Sequence, residues 1–241
     1  MERILHDQHQ QLDSVHWWFK ARRDIVGSFL NKRSLDSSVR ILDVGSCGGG
    51  MLDLLINYGH VDAVEKDATS AEALRAKYGD RIGVIHAECG PQSRFDSHEF
   101  ISMFDVLEHI DDDVGTLKSL TESLPSGGWF VATVPAFQFL WSGHDVLNEH
   151  KRRYTAKELR TKIEGAGLTI KRLTYFNTFL FPMIWASRMI SNATGRTDSD
   201  VTLPSAFVNR ILYRIFSFEK RVLSSTDLPF GVSLIVIAQK P

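Results

Sequence analysis

The chain of 241 residues is poor in the features that mark several large classes of protein. Its two cysteines, Cys47 and Cys89, form no C-x-x-C pair, so the sequence offers neither a disulfide framework nor a structural zinc site. Its longest apolar run, residues 179–186, is far shorter than the ~18 residues of a membrane span and contains Pro182. Residues 1–10 lack the apolar core of a secretory signal, and we therefore expect a cytoplasmic protein.

The chain also has little net charge. Its formal charge is −1 at pH 7, which gives no bulk attraction for a polyanion, so we expect no nucleic-acid partner. Hydrophobic residues make up 43% of the chain, a content that suits one large globular domain.

What the sequence does contain is a regular alternation of β-rich and helical segments. We predict strands over residues 39–44, 60–65, 82–86, 100–105, 129–134, 168–175 and 232–238. A first helix runs to about Leu30 and is capped by Asp13 or Ser14. One later helix covers residues 114–124, and two others begin at capping boxes, residues 69–72 and 155–158. The alternation predicts an α/β fold with a mainly parallel sheet, helices on both faces and ligands at the carboxyl ends of the strands.

The segment between the sixth and seventh strands, residues 176–231, is too long for a simple connection. Residues 206–223 are amphipathic, with apolar and basic side chains at helical spacing. The apolar positions are Phe207, Ile211, Ile215, Phe218 and Val222, and the basic ones are Arg210, Arg214, Lys220 and Arg221. Two interpretations remain open: a cap helix that packs on its neighbours, or a peripheral membrane contact through residues 176–223.

The glycine-rich segment after the first strand, residues 43–50 (DVGSCGGG), is typical of a loop that holds an adenosine cofactor. A dinucleotide site requires G-x-G-x-x-G, and here Cys47 replaces the middle glycine. Asp43 would repel a pyrophosphate but attract the ammonium and sulfonium of S-adenosylmethionine. Glu65, twenty residues after Gly45, is placed to accept hydrogen bonds from ribose hydroxyls. Alternatively, Asp43 caps the loop and Glu65 is a solvated acid at a strand end.

Residues 41–50 (ILDVGSCGGG) and 104–110 (FDVLEHI) resemble signature segments of class I S-adenosylmethionine-dependent methyltransferases. The resemblance extends over about residues 16–171 and implies a Rossmann-like sheet of seven strands whose last strand is antiparallel. It implies a cofactor across the ends of the first, second and fourth strands. The resemblance implies that Gly45, Cys47 and Gly49 line the methionine half, Glu65 the ribose, Glu88 and Cys89 the adenine, and Asp105 with Val106 the reacting end. Further candidate cofactor-binding residues are Ser46, Lys66 and His109. Cys47 departs from the family's usual glycine, and it would be strained if its φ is positive.

Residues 16–23 (HWWFKARR) are similar to the segment that many relatives fold over the cofactor. The resemblance implies that Trp18 shields the sulfonium and that Arg22 or Arg23 meets the cofactor carboxylate. The alternative is a helix anchored in the core by Trp17 and Trp18, with both arginines in solvent.

The segment after the fifth strand holds the candidate bases. We predict His144 as the first candidate, His150 as the second, and Tyr154 as a further catalytic residue. Arg152 and Arg153 would grip an anionic or hydroxyl-rich acceptor, or else cap the next helix and pair with Asp145.

A metal site is the alternative use of these residues. Asp105, Glu108 and His109, followed by His144 or His150, are similar to the divalent-metal ligands of small-RNA 2′-O-methyltransferases and ubiquinone-pathway O-methyltransferases. The same residues are widespread in relatives without metal, where Glu108 and His109 begin a helix, and we expect no resident metal.

Taken together, the sequence predicts one domain with a helical lid (residues 1–36), a cofactor-binding core (37–175), a helical insertion (176–231) and a last strand (232–241). We expect methyl transfer from S-adenosylmethionine, with S-adenosylhomocysteine as product, to oxygen or nitrogen of a small or lipid-linked acceptor. Two alternatives are a non-catalytic protein that binds the same cofactor and uses residues 176–231 as its interface, and an NAD(P)-dependent oxidoreductase. The sequence does not set the oligomeric state.

Overall fold

A computed structural model describes residues 12–31, 38–194 and 203–241. Seven strands form one sheet in the order β3-β2-β1-β4-β5-β7-β6. Strands β1 to β5 are parallel, whereas β7 is antiparallel to both β5 and β6. The strands are β1 Arg40–Val44, β2 His60–Glu65, β3 Ile82–His86, β4 Phe100–Phe104, β5 Trp129–Pro135, β6 Thr169–Phe176 and β7 Ser233–Gln239. The predicted mainly parallel sheet with an antiparallel last strand is confirmed.

Helices cover both faces of this sheet. Within the described ranges the α-helices are α1 Trp17–Leu30, α2 Leu52–Leu55, α3 Ala68–Tyr78, α4 Asp113–Ser123, α5 Gly143–Leu147, α6 Ala156–Gly165, α7 Phe181–Thr194 and α8 Ala206–Val222. Helices α7 and α8 lie between β6 and β7, as the length of that connection predicts. None of the described helices combines the length and the apolar content needed to cross a bilayer.

The core has two halves because side chains of a strand alternate between the two faces of a sheet. On β1, Ile41 packs with α1, α2, α3 and α8, whereas Leu42 packs with α4 and α6 on the opposite face. The central strand β4 is buried along its whole length, as expected of a parallel strand covered on both sides. This arrangement leaves the carboxyl ends of the parallel strands as the open edge of the fold.

Two of the predicted helix starts are wrong by a few residues. Helix α1 is capped by His16, whose side chain accepts from the Trp18 N–H, because Asp13 is bound to Arg23 instead. Helix α3 is capped by Asp67, which accepts from the Ser70 N–H and thereby replaces the predicted box at residues 69–72. The box at residues 155–158 is confirmed in both directions. Parts of the predicted lid (1–11 and 32–36) and of the insertion (195–202) lie outside the described residues.

Candidate active site

A cavity of about 1460 Å³ opens at the carboxyl ends of β1, β2, β4 and β5. Residues of α1, of the segment after β5 and of α7 and α8 form its walls. Most of the predicted site residues line it: Trp18, Arg22, Asp43, Gly45, Ser46, Cys47, Glu65, Lys66, Glu88, Cys89, Asp105, Val106, His109, His144 and His150. Arg23, Gly49 and Tyr154 are not among the lining residues.

The loop after β1 is held in a conformation that only small residues adopt easily. Gly45 has φ +75, and a Cβ there would lie 2.5 Å from Val106 Cγ2. Cys47 has φ 48, so the strain expected at this position is present. Gly49 has φ +81, but it faces Tyr78, whose hydroxyl donates to the Gly49 carbonyl, and this contact turns Gly49 away from the cavity. Backbone geometry therefore fixes how closely a ligand can approach the loop.

Asp43 both caps the loop and lines the cavity. Its Oδ2 accepts from the Ser46 hydroxyl at 2.8 Å and its Oδ1 from the Ser102 hydroxyl at 2.7 Å. Burial raises the pKa of Asp43 to about 6, against the opposing effect of the two hydroxyl donors. The carboxylate is thus ionised at neutral pH and loses its charge in mild acid.

Glu65 is a buried acid that organises the same loop. Its two carboxylate oxygens accept from the Cys47 N–H and the Asp67 N–H, each at 2.8 Å. The alternative of a solvated strand-end acid is wrong, because Glu65 is only 6% exposed. Each oxygen retains a second lone pair for a ligand hydroxyl.

The two cysteines of the site are unreactive thiols. Burial raises the pKa of Cys47 to about 12 and that of Cys89 to about 11. At neutral pH a thiol with so high a pKa stays protonated, so neither cysteine has the thiolate form that nucleophilic attack requires.

Helix α1 brings one arginine into the cavity and keeps the next one out. The Arg22 guanidinium bonds to the Asp105 carboxylate and lies over the Trp18 ring at 4.6 Å from its centroid. Arg22 is 7% exposed, so the alternative of a solvated side chain is wrong for it. Arg23 instead pairs with Asp13 and the Gly50 carbonyl, which is why it misses the predicted cofactor contact.

In the segment after β5, His150 lies beside a buried ion pair between Asp145 and Arg153. The His150 Nδ1 lies 2.8 Å from Asp145 Oδ1, and Arg153 bonds to both oxygens of Asp145 at 2.8 and 3.0 Å. Burial would raise the pKa of Asp145, but the His150 hydrogen bond and the Arg153 charge hold that pKa well below its ordinary value. Asp145 therefore stays ionised and holds the imidazole with Nε2 directed away from it. Arg153 is engaged with Asp145 and is not free to grip an acceptor, which supports the pairing interpretation.

His144 and Tyr154 differ from His150 in their surroundings. His144 lines the cavity, but burial and the Arg188 charge lower its pKa well below the ordinary value, so it is a weak base. Tyr154 is 1% exposed, and its hydroxyl donates to Asp113 of α4 at 2.9 Å. Tyr154 thus faces the core between α4 and α6, and the catalytic role predicted for it has no structural support.

Glu108, His109 and His150 form the only group of possible metal ligands within the described ranges. Their ligand atoms lie within 4.8 Å of one another, whereas two ligands at ~2.1 Å from one ion are at most ~4.2 Å apart. Burial and the Asp105 charge raise the pKa of Glu108 well above its usual range, and burial with the His150 charge lowers that of His109 to about 4. The residue types suit a divalent cation, but the group as it stands is wider than a bound site, and the raised pKa of Glu108 opposes the ionised form that a metal requires.

Like Asn177, Glu108 is a polar residue that lines the cavity and whose side-chain polar atoms lack hydrogen-bond partners within the described residues. It is fully buried, and neither carboxyl oxygen has a hydrogen-bond partner in the described part of the chain. A buried carboxyl in this state costs free energy unless a ligand or a proton compensates it. Glu108 therefore marks the point of the cavity where a polar group of a ligand is expected.

A family model described as a methyltransferase domain matches residues 14–173. The chain belongs to this methyltransferase family. A mitochondrial ubiquinone biosynthesis O-methyltransferase of Candida albicans is 32% identical over an alignment of 133 residues that covers 49% of this chain. The alignment covers 39% of that enzyme's length. Alignments with two bacterial ubiquinone biosynthesis O-methyltransferases cover 65% and 61% of the lengths of those enzymes.

Solved structures show the same fold at low sequence identity. A chain of the Haloferax volcanii complex between the Trm112 methyltransferase activator and its partner has a TM-score of 0.64 and 16% identity, covering 99% of this chain and 95% of that one. Phosphoethanolamine N-methyltransferase 2 of Haemonchus contortus, solved with S-adenosyl-L-methionine, has a TM-score of 0.60 and 12% identity, covering 90% of this chain and 52% of that one. These two structures show a shared fold, and the match to a methyltransferase family leaves the oxidoreductase alternative without support.

Proposed function

We propose that this methyltransferase acts on a hydroxyl oxygen of a small or lipid-linked acceptor that has an apolar part. The observation that carries the proposal is the His150–Asp145 pair, a histidine fixed by a buried carboxylate at the wall of the cavity. Nitrogen is the alternative atom, but an amine can react in its neutral form, whereas a hydroxyl benefits from a base. The O-methyltransferase names of the curated relatives favour oxygen as well.

The residues at the strand ends fit the methyl donor. S-adenosylmethionine supplies an electrophilic methyl group on its sulfonium. When the methyl group is transferred, the sulfur becomes neutral and the leaving group is S-adenosylhomocysteine. Asp43 and Asp105 place negative charge where the cationic half would lie, and Arg22 offers its guanidinium to the carboxylate. Glu65 keeps lone pairs for the ribose hydroxyls, and Gly45 lets the ligand approach the loop backbone.

The remaining part of the cavity suits an acceptor with apolar surface. Single small-molecule sites measure about 300–1,000 Å³, so a cavity of about 1460 Å³ has room for donor and acceptor together. Its wall beyond the cofactor residues includes apolar side chains of α1, α7, α8 and the residue before β7: Trp17, Met183, Ile184, Leu212 and Val232. This wall would pack against the apolar part of the acceptor while the reacting hydroxyl lies toward His150.

His150 would take the proton of that hydroxyl. As the bond from the acceptor oxygen to the methyl carbon forms and the carbon–sulfur bond breaks, the proton moves from oxygen to His150 Nε2. The ionised Asp145 stabilises the imidazolium that results, through the bond it makes to Nδ1. His144 lines the same wall and is the second candidate, although its lowered pKa makes it a weaker base.

The test is the release of S-adenosylhomocysteine from S-adenosylmethionine by the purified protein, supplied separately with aqueous and lipid extracts. We expect turnover with hydroxylated apolar compounds, loss of it in Asp43→Ala, and a much lower rate in His150→Gln. Turnover confined to amines would contradict the choice of oxygen. Donor binding by calorimetry without turnover in any fraction would instead favour the non-catalytic alternative.

A further inference from the structure

Helix α8 carries a row of large apolar side chains that the fold leaves exposed. Phe207 is 74% exposed, Phe218 48%, Ile211 40% and Ile215 38%. At about 100° per residue these four positions fall within an arc of roughly 80° on the helix. Helix α8 packs on its neighbours, as the cap-helix interpretation predicts, but it does so through its opposite side and leaves most of the predicted apolar row exposed. We call the exposed side, with its apolar row, the α8 outer face.

The opposite side of α8 is fixed firmly to the rest of the protein. Tyr213 donates to Asp24 of α1 at 2.8 Å, and Asn209 accepts from the Trp17 N–H at 2.9 Å. Farther along, the buried Glu219 accepts from the N–H groups of residues 177 and 179 at 2.6 and 2.8 Å. Because these bonds hold the helix at both ends, α8 cannot rotate to bury the outer face without breaking them.

A basic stripe adjoins the apolar row. Arg210, Arg214 and Arg221 are exposed and lie within roughly 60° of Phe207 around the helix. None of the three forms an ion pair within residues 12–31, 38–194 and 203–241, and Arg221 lies over the Phe218 ring at 5.6 Å. The acid of α8, Glu219, is buried on the inner side, so the outer face carries positive charge alone.

The outer face continues toward the mouth of the cavity. The Phe218 ring contacts that of Phe179, which is 44% exposed, with 6.2 Å between centroids. Helix α7 begins two residues later and exposes Met183 and Trp185, of which Met183 also lines the cavity. An apolar surface thus runs from the outside of α8 to the edge of the active site.

We propose that the α8 outer face lies on an anionic lipid bilayer. An apolar row beside a stripe of arginines that form no ion pair with any described residue, with no acidic residue of α8 between them, matches the boundary between acyl chains and phosphates. The four apolar side chains would enter that boundary, and the three arginines would meet lipid phosphates. A second copy of the chain docked through the same face would bring arginines against arginines, because the outer face has no acidic group of its own. The proposal goes beyond the reaction and holds for any acceptor that the cavity takes.

The experiment is co-sedimentation of the full chain with phosphatidylcholine vesicles that contain either no phosphatidylglycerol or 30% of it. We expect binding to the anionic vesicles that weakens with salt. The triple variant Arg210→Gln, Arg214→Gln, Arg221→Gln should bind about a hundredfold more weakly, at ~1 kcal/mol for each cation near an anionic surface. A second variant, Phe207→Ser, Ile211→Ser, Phe218→Ser, should lose binding to the anionic vesicles while keeping its fold, because these side chains are exposed.

A matched control removes three exposed cations elsewhere, Lys118→Gln, Lys157→Gln and Lys171→Gln, and should bind like the unmodified chain. Thermal unfolding and calorimetric binding of S-adenosylmethionine show that each variant is folded. The proposal is overturned if the unmodified chain ignores anionic vesicles, or if the control loses as much binding as the arginine variant. Self-association replaces the proposal if the chain does not bind vesicles and light scattering finds a dimer that is absent in the apolar variant. Vesicle binding is measured independently of turnover. A chain that does not bind vesicles therefore leaves the proposed reaction unaffected.

Discussion

Substitution of Gly45 by alanine tests how tightly the cofactor loop is packed against the segment after β4. The added Cβ would lie 2.5 Å from Val106 Cγ2 and 3.0 Å from Cγ1, closer than folded proteins tolerate without movement. Gly45 also has φ +75, which an alanine adopts at a cost of ~1–2 kcal/mol. Overpacking of a fixed site adds ~1–3 kcal/mol. We expect Gly45→Ala to lower the free energy of unfolding by about 2–5 kcal/mol.

The fold supplies a control that separates the two costs. Gly127 has φ +81, almost the same as Gly45, but a Cβ there would meet nothing within 4 Å. Gly127→Ala should therefore cost only the backbone contribution, ~1–2 kcal/mol. The difference between the two variants measures the clash with Val106. In a Val106→Ala background the clash is removed, and Gly45→Ala should then cost no more than Gly127→Ala.

The assay is urea unfolding followed by tryptophan fluorescence, together with calorimetric titration of S-adenosylmethionine. Gly45→Ala should bind the cofactor at least ~10-fold more weakly because the loop must move, whereas Gly127→Ala should bind it normally. Equal destabilisation by the two substitutions, or an unchanged cofactor affinity in Gly45→Ala, would refute the described packing of the loop.

Three further predictions concern charge and proton transfer. With an acceptor in hand, His150→Gln should lower kcat by about a hundredfold or more with little change in KM, and His144→Gln should lower it less; the reverse order would move the base to His144. Since the raised pKa of Asp43 is about 6, this group is one-tenth ionised at pH 5, and calorimetry should find cofactor affinity roughly tenfold lower there than at pH 7.5. Asp43→Asn should bind weakly at both pH values, and a pH dependence that survives in this variant would assign the effect to another group. Chelation with EDTA should leave turnover unchanged, and activity that is lost and then restored by Mg²⁺ or Mn²⁺ would make Glu108, His109 and His150 metal ligands.

The fold could be read from the sequence because its signals are local. All seven predicted strands agree with the structure to within one residue at each end, since each is a short β-rich run. Helix starts are harder to predict from sequence than strands, because several nearby residues can serve as the cap and tertiary contacts decide among them. Asp13 shows this: it has the chemistry of an N-cap, but Arg23 engages it.

The cofactor side of the site was predictable for the same reason. Asp43, Gly45 and Glu65 belong to a strand, a loop and the next strand, in an order that the chemistry of the cofactor requires. What sequence could not supply is the partner of each group. Ser102, which donates to Asp43, lies 59 residues away and gave no signal of its own.

The acceptor side was harder because its residues work through contacts within a loop. Asp145 orients His150 five residues later, and Arg153 holds Asp145, yet the spacing alone gave equal weight to gripping an acceptor. Tyr154, next in sequence, turns inward to Asp113 because the adjacent Thr155 begins α6 and the chain alternates its side chains there. Neighbours in sequence thus face different environments, which no pattern of residue types reveals.

The two roles considered for His150 exclude each other, and this makes the chelation experiment decisive. A metal ion shared by Glu108, His109 and His150 would occupy the Nε2 lone pair that proton transfer requires, because Nδ1 is bound to Asp145. Binding of such an ion would also have to displace the proton of Glu108, whose pKa is well above its usual range. Metal-dependent activity would therefore rise as pH increases through the titration of Glu108, and it would be lost in Glu108→Gln. Activity that resists EDTA and persists in Glu108→Gln leaves the Nε2 atom of His150 free for the acceptor proton.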